Sequence, residues 1–188
     1  MGQPKALLPM GDELLIRRVV RNLIESQALS HILIVTGHSR DAIEAALCDL
    51  DVTFVPNDDY DAGGMLSSIQ AGIRAVPAEA NAALITLGDQ PLVEPATIRA
   101  IVTSPQSTVV IPSYQGKRGH PVLIARQHFD AVLALAPDET LKNFMTRQTH
   151  ALELPVDDPA VVADIDTQED YQRALKSMSS SREGQAHV

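Results

Sequence analysis

The segment AALITLGDQP, residues 82–91, is an apolar run that stops at a carboxylate set between a glycine and a Gln-Pro pair. An unbroken apolar run, without polar alternation, is the pattern of a strand buried on both faces, as in a parallel sheet covered by helices. Gly88 ends the run, and Pro91 has no N–H with which to extend a ladder. Asp89 is therefore expected at the carboxyl end of a central strand, where open α/β sheets bind their ligands. Two readings of Asp89 stand side by side. It is either a ligand for a divalent cation that serves a phosphate-bearing substrate, or the cap of the following turn or helix.

The rest of the chain alternates helix and strand around this run. Leu14, Leu15, Val19, Leu23 and Ile24 recur at helical spacing and predict a helix over about 12–28. A strand over 31–36 ends at Gly37, and a helix over 40–49, a strand over 52–55, a loop to Gly64 and a helix over 65–76 lead to the central run. Beyond it the pattern predicts a helix over 95–103 with Pro95 near its first position, a strand over 108–111 and a polar loop over 114–119. Val122 to Ala125 then form its antiparallel partner or an edge strand, followed by helices near 127–135 and 138–148, a strand over 151–155 and a helix over 168–176. Such alternation implies one α/β domain over residues 1–176, with a mostly parallel sheet between two helical layers. A chain of 188 residues suits one domain. The Ser-rich tail, 177–188, is expected to be disordered.

Charge narrows the function. The formal net charge is -9, and aromatic residues make up 3% with no Trp, so neither a basic nucleic-acid face nor base-stacking platforms are expected. A nucleotide substrate remains compatible, because a metal and a few local cations suffice to hold a triphosphate. No stretch approaches membrane-spanning length and no signal-peptide pattern is present, so no membrane association is expected. The single cysteine fits a reducing cytoplasm, and Cys48, inside the helical pattern DAIEAALCDL, is expected to be a buried structural thiol.

Four further segments carry side chains with chemical potential. Lys5, in GQPK, presents a compact cation for phosphates or is a solvated loop lysine. In NDDYDAGG, Gly63 and Gly64 allow backbone N–H groups to approach a ligand at a helix N-terminus, and Ser67 and Ser68 offer hydroxyls in the next turns. GKRGHP places Lys117, Arg118 and His120 in one turn, suited to an anionic substrate or simply a charged hairpin tip. His120 precedes a proline and is held toward extended backbone, which favours a positioned binding residue. In ADIDT, Asp164 and Asp166 lie two apart and share a face of an extended chain. They reach one metal together, or Asp166 and Thr167 cap the last helix, with Glu169 and Asp170 favouring its first turn. His38 reads as a loop residue.

Taken in order, GQPKALLP, NDDYDAGGMLSSIQAG, LGDQP, GKRGHPVLI and DIDTQEDY resemble the molybdenum cofactor cytidylyltransferases, members of the MobA-like nucleotidyltransferases. RGHP with DIDT is similar to the cytidylyl branch more than to the guanylyl branch. The resemblance implies a Rossmann-like three-layer α/β/α nucleotidyltransferase fold. It also implies transfer of CMP from CTP to the molybdenum-bound pterin cofactor with release of pyrophosphate, and delivery to a recipient molybdoenzyme. By the same resemblance Lys5 contacts the triphosphate, and Asp89 holds Mg²⁺ with one or both of Asp164 and Asp166. Gly63, Gly64, Ser67 and Ser68 face the nucleoside, and Arg118 and His120 face the pterin side. Members of the family begin with a strand and a loop of the type LAAGxSxRMGxPK. This sequence enters at the Met of that motif, so the first strand and phosphate loop are expected to be missing, and Met1 is expected to be an internal methionine of a longer chain. Two alternatives accompany this reading: nucleotidyl transfer to another phosphorylated acceptor from GTP or another triphosphate, and a non-catalytic carrier of the cofactor.

Overall fold

The computed structural model describes residues 4–105, 108–148 and 150–185. Gly2 and Gln3 of the GQPK motif, and residues 186–188 of the tail, lie outside the described residues. A 3-10 turn at Lys5–Leu7 leads into a small antiparallel pair, β1 (Pro9–Met10) and β2 (Glu13–Leu14). Next come α1 (Leu15–Glu25), β3 (Leu33–Thr36), α2 (Arg40–Leu47), β4 (Thr53–Pro56), α3 (Tyr60–Ala75), β5 (Ala82–Ile85) and α4 (Pro95–Val102). The second half holds β6 (Val109–Tyr114), β7 (Lys117–Arg118), β8 (Val122–Ala125), α5 (Phe129–Leu133), α6 (Leu141–Arg147), β9 (Leu152–Pro155) and α7 (Gln168–Gln185).

Side-chain alternation along β6 and β8 builds the three layers. Val109 and Ile111 of β6, with Val122 and Ile124 of β8, join α3, α5 and α6 on one face. Val110 and Leu123, one residue out of phase, pack with Ile101 of α4 on the other. A second cluster on α1 and α4 takes in Val161 and Ala174 of α7. Each such buried aliphatic side chain contributes about 1.5–3 kcal/mol from the area it withdraws from water.

The α/β class and the three-layer arrangement are as expected, but the sheet is mixed. The β3–β4 and β6–β9 pairs are parallel, whereas β5–β8, β6–β8 and β6–β7 are antiparallel. β8 takes the antiparallel role expected of residues 122–125 but sits between β5 and β6, not at an edge. Gln115 and Gly116, both at positive φ, turn β6 directly into β7, so the polar loop is a tight hairpin. The helix expected over 12–28 is shorter because Glu13 and Leu14 pair with β1, and Ile24 ends up 40% exposed. Cys48 is exposed, contrary to expectation. α2 ends at Leu47, which takes the buried position, and Cys48 falls past the apolar stripe as the helix cap. The closing helix runs beyond residue 176 to Gln185, into the segment expected to lack order.

The sheet is split. β3 pairs only with β4, and β5 only with β8, among the described residues. Between their open edges lies a cavity of about 510 Å³, lined by Leu33–Val35, Ala82–Ile85 and apolar side chains of α1 and α3. Among the described residues no strand lies between these two edges. The gap explains why β5 is only half-buried along its length although its composition is that of a core strand. Unpaired N–H groups on these edges are open to solvent, so β5 amides facing the gap should exchange hydrogen roughly 100-fold faster than those of β8. Equal protection of the two strands in native-state exchange would mean that the gap is closed in solution.

Candidate active site

The chemistry-bearing residues collect where β3, β4 and β5 end. Parallel register sets Thr36 beside Pro56. The next residue, Asn57, donates its backbone N–H to Thr36 O at 2.8 Å. The Asn57 amide then donates to both Ser67 Oγ (2.9 Å) and Ser68 Oγ (3.0 Å), tying the end of β4 to α3. α3 is two helical stretches joined at Gly64, whose φ of 54° and ψ of -145° interrupt the helix. A side chain is disfavoured at such a backbone angle. Ser67 Oγ donates to Gly64 O at 2.9 Å, so the hydroxyl stabilises the kink. Ser68 of α3 and Gly88, just after β5, both line the gap. His38 packs its ring 6.1 Å from that of Tyr60 in this loop region.

The turn after β5 is fixed from both sides. Asn22, buried on α1, donates its amide to Pro91 O (3.0 Å) and Val93 O (2.9 Å). From the other side, the backbone N–H of Ile165 reaches Asp89 O at 3.3 Å. The backbone of LGDQP is thereby stitched to that of ADIDT. Lys5 Nζ donates to Asp166 Oδ1 at 2.8 Å, which brings GQPK to the same place. Gln90 Nε2 donates to Asp164 Oδ1 at 2.6 Å. The capping question is settled by Thr167, which accepts from Asp170 N while Asp170 accepts from Thr167 N at 2.8 Å. This reciprocal box caps α7 and leaves Asp166 to Lys5.

The GKRGHP turn is held against the same segment. A 3-10 turn, Pro159–Val162, precedes ADIDT, and His120 N donates to Val161 O at 2.8 Å. Gly119 passes so close that a Cβ there would lie 1.9 Å from Val161 O. Its two ends behave differently. His120 lies within reach of the acids, whereas Arg118 Nε donates to Glu153 Oε2 on β9 at 2.9 Å, a partner outside the acid group. Asp158 anchors the Pro159–Val162 turn, accepting from Ala160 N (2.9 Å) and from Glu94 N (3.0 Å) at the start of α4.

The acids perturb one another. Burial, and then the charge of Asp164, push the Asp89 carboxyl above its ordinary value, while Lys5 opposes the shift. The hydrogen bond to Asp166 holds the Lys5 ammonium above its ordinary value, with the charges of Asp166, Asp89 and Asp164 adding to it. Burial pushes the His120 imidazole down despite Asp164 and Asp89, so it is neutral at physiological pH. The structure thus gathers Lys5, Asp89, His120, Asp164 and Asp166, while Ser68 lines the gap. Sequence reasoning missed Asn22, Asn57's amide links and Asp158. Only Asn22 carried a signal, as a polar residue on the apolar stripe of α1.

Among the described residues, no three His, Cys, Asp or Glu side chains form a ready-made metal cage. Paired carboxylates joined to Gln90, whose buried Oε1 has no partner among the described residues, instead suit a hard cation that keeps waters or phosphate oxygens as its other ligands. Mutual repulsion of Asp89 and Asp164 is relieved by such a charge, so the donor set fits one.

Residues 1–152 match the family described as the MobA-like NTP transferase domain. Among solved structures, Rv0371c in complex with manganese from Mycobacterium tuberculosis H37Rv has a TM-score of 0.81 at 28% identity, covering 93% of each chain. A nucleotidyl transferase from Methanothermobacter thermautotroptrophicus has a TM-score of 0.82 at 25% identity, covering 94% of this chain and 86% of that one. The bifunctional protein GlmU of Francisella philomiragia is 29% identical over 111 residues, which are 58% of this chain and 23% of that protein. The chain thus spans about a quarter of the length of this curated relative.

Proposed function

Because the chain belongs to the MobA-like NTP transferase family, we propose that it transfers CMP from CTP to the terminal phosphate of a molybdenum-bound pterin cofactor. Nucleotidyl transfer follows from the family. The choice of CTP rests on the resemblance of RGHP and DIDT to the cytidylyl branch, and the observation that carries the site is the convergence of Lys5, Asp89, Asp164, Asp166 and His120. In the reaction an oxygen of the cofactor phosphate bonds to the α-phosphorus of CTP. The bond from that phosphorus to the bridging oxygen breaks, and pyrophosphate leaves with the electron pair.

The protein's part is to position and neutralise. Lys5 exchanges Asp166 for a phosphate oxygen when the triphosphate arrives, a swap of one anionic partner for another of higher charge. Asp89, with Asp164 or Asp166, would hold Mg²⁺, which when bound offsets charge on the transferring phosphoryl group. Gly63, Gly64, Ser67 and Ser68 border the nucleoside, with Ser68 at the mouth of the gap. His120, neutral and clamped by its backbone to Val161, orients the acceptor and does not act as a free base. Arg118, its Nε held by Glu153, would offer its remaining N–H groups to the acceptor side. The product would pass to a recipient molybdoenzyme.

The acceptor is tested by mass spectrometry of reactions containing CTP, Mg²⁺ and either the pterin cofactor or a panel of sugar phosphates. A CMP–pterin conjugate is the expected product. A CMP–sugar product without it would move the assignment to another phosphorylated acceptor, and cofactor binding without any CTP use would support a carrier.

A further inference from the structure

We propose that Gln90 is a positioning residue that fixes Asp164 beside Asp89 while leaving its full negative charge in place. The proposal rests on the transferase reading only in taking these two acids as the cation side of the site. Gln90 is 3% exposed, and its Nε2 donates to Asp164 Oδ1 at 2.6 Å. Its other polar atom, Oε1, is buried and has no partner among the described residues. A glutamine with a purely structural role would satisfy both ends of its amide. An orphaned buried oxygen destabilises the fold, a cost that an apolar residue of similar shape avoids. What the amide supplies and an apolar residue lacks is the bond to Asp164.

The two acids of ADIDT are treated in opposite ways. Asp166 is engaged by the Lys5 ammonium, which cancels its charge. Asp164 is engaged by a neutral donor, which orders the carboxylate yet leaves its charge available to a cation or to repel Asp89. Gln90 itself is well placed to act as a fixed post. Asn22 holds the carbonyls of Pro91 and Val93 just after it, and Ile165 N–H holds Asp89 O just before it. Asp164 is in turn bracketed by that Ile165 bond on its own backbone and by Gln90 on its side chain. The separation of Asp89 and Asp164 is therefore set by two bonds across one junction. Removing the amide leaves the backbone bond and frees the carboxylate to rotate toward solvent.

The test is Mn²⁺ binding to the 188-residue chain, read from the free-ion electron paramagnetic resonance signal, in a double-mutant cycle. Gln90→Met should weaken binding by about 10-fold or more, the range found when a partner that orients a ligand is removed. In an Asp164→Ala background the same substitution should change affinity less than about twofold, because its target is gone. In an Asp166→Asn background it should keep its full effect. Gln90→Asn retains the carboxamide on a stem too short to span the distance, should give the same pattern, and replaces the Met variant if that fails to fold. Equal weakening in the Asp164 and Asp166 backgrounds would assign Gln90 a general packing role and overturn the proposal. Unchanged affinity in Gln90→Met, or no Mn²⁺ binding by the wild type, would overturn it as well. Nucleotide choice is read in a separate assay, so either reading can fail without the other.

Discussion

Asp89→Asn should lower nucleotidyl transfer on the order of 10²–10³-fold, the cost of removing one preorganised electrostatic partner from a site where charge develops. The substitution keeps shape and burial but removes the negative charge at the end of β5. Its effect on stability should have the opposite sign. The folded-state pKa of Asp89 is raised above the ordinary carboxylate value by burial and by Asp164. The folded protein therefore holds the proton more tightly than the unfolded chain. By linkage, stability contributed by this group falls as pH rises from the ordinary value through the raised one, and ionised Asp89 costs stability above that window. An asparagine avoids that cost, so the variant should be at least as stable as the parent at neutral pH. Activity and cation binding in the parent should weaken as pH falls through the same raised pKa, since protons compete for the carboxylate. Turnover and thermal midpoint measured together check both halves. An inactive variant that is also markedly destabilised would point to Asp89 as a structural cap.

The second large effect is expected at Gly119. A Cβ there would lie 1.9 Å from Val161 O and 2.5 Å from Val161 C, and backbone atoms of a buried residue have little room to retreat. Gly119→Ala must separate the GKRGHP turn from the Pro159–Val162 segment and lose the bond from His120 N to Val161 O. Overpacking of this kind and the lost bond together should cost about 3 kcal/mol, or roughly 6–12 °C in melting temperature for a domain of this size. Gly88→Ala is the internal control. Its added Cβ meets only Ile16 Cδ1 at 3.4 Å, ordinary van der Waals contact, and should cost under about 1 kcal/mol. Since Val161 leads directly into ADIDT, the Gly119 variant should also lose cation affinity. Thermal unfolding of the two variants side by side checks the prediction, and an equal shift in both would show that the close approach is relaxed at little cost.

How far the sequence could be read depended on whether the information was local. β5 and the turn at Asp89 were legible because an apolar run, a glycine and a proline act within ten residues. The register of α1 was legible on its core side for the same reason. Strand neighbours were not. Nothing in Val122–Ala125 tells an edge strand from one inserted between β5 and β6, because both arrangements bury it. The antiparallel pairs of β8 likewise depend on where the chain returns in space. Cys48 was misjudged by a single residue at a helix end, where a periodic pattern does not reveal its stopping point. Lys5, Asp89, His120, Asp164 and Asp166 could be singled out because their residue types stand in short polar segments. Asn22 and Asp158 could not, since each is one polar side chain whose partners are backbone atoms remote in sequence. The pairing of Gln90 with Asp164 belongs to the same class, being a contact between two turns 74 residues apart.

The central claim is that the acid cluster and Lys5 serve cytidylyl transfer. The most direct measurement is the rate of pyrophosphate release with CTP, GTP, UTP and ATP in turn, at fixed Mg²⁺ and pterin cofactor. CTP should be used at least about 100-fold more efficiently than GTP, since a site built to pair with one base edge leaves buried polar groups unmatched with the other. Equal use of CTP and GTP, or use of GTP alone, would contradict the account.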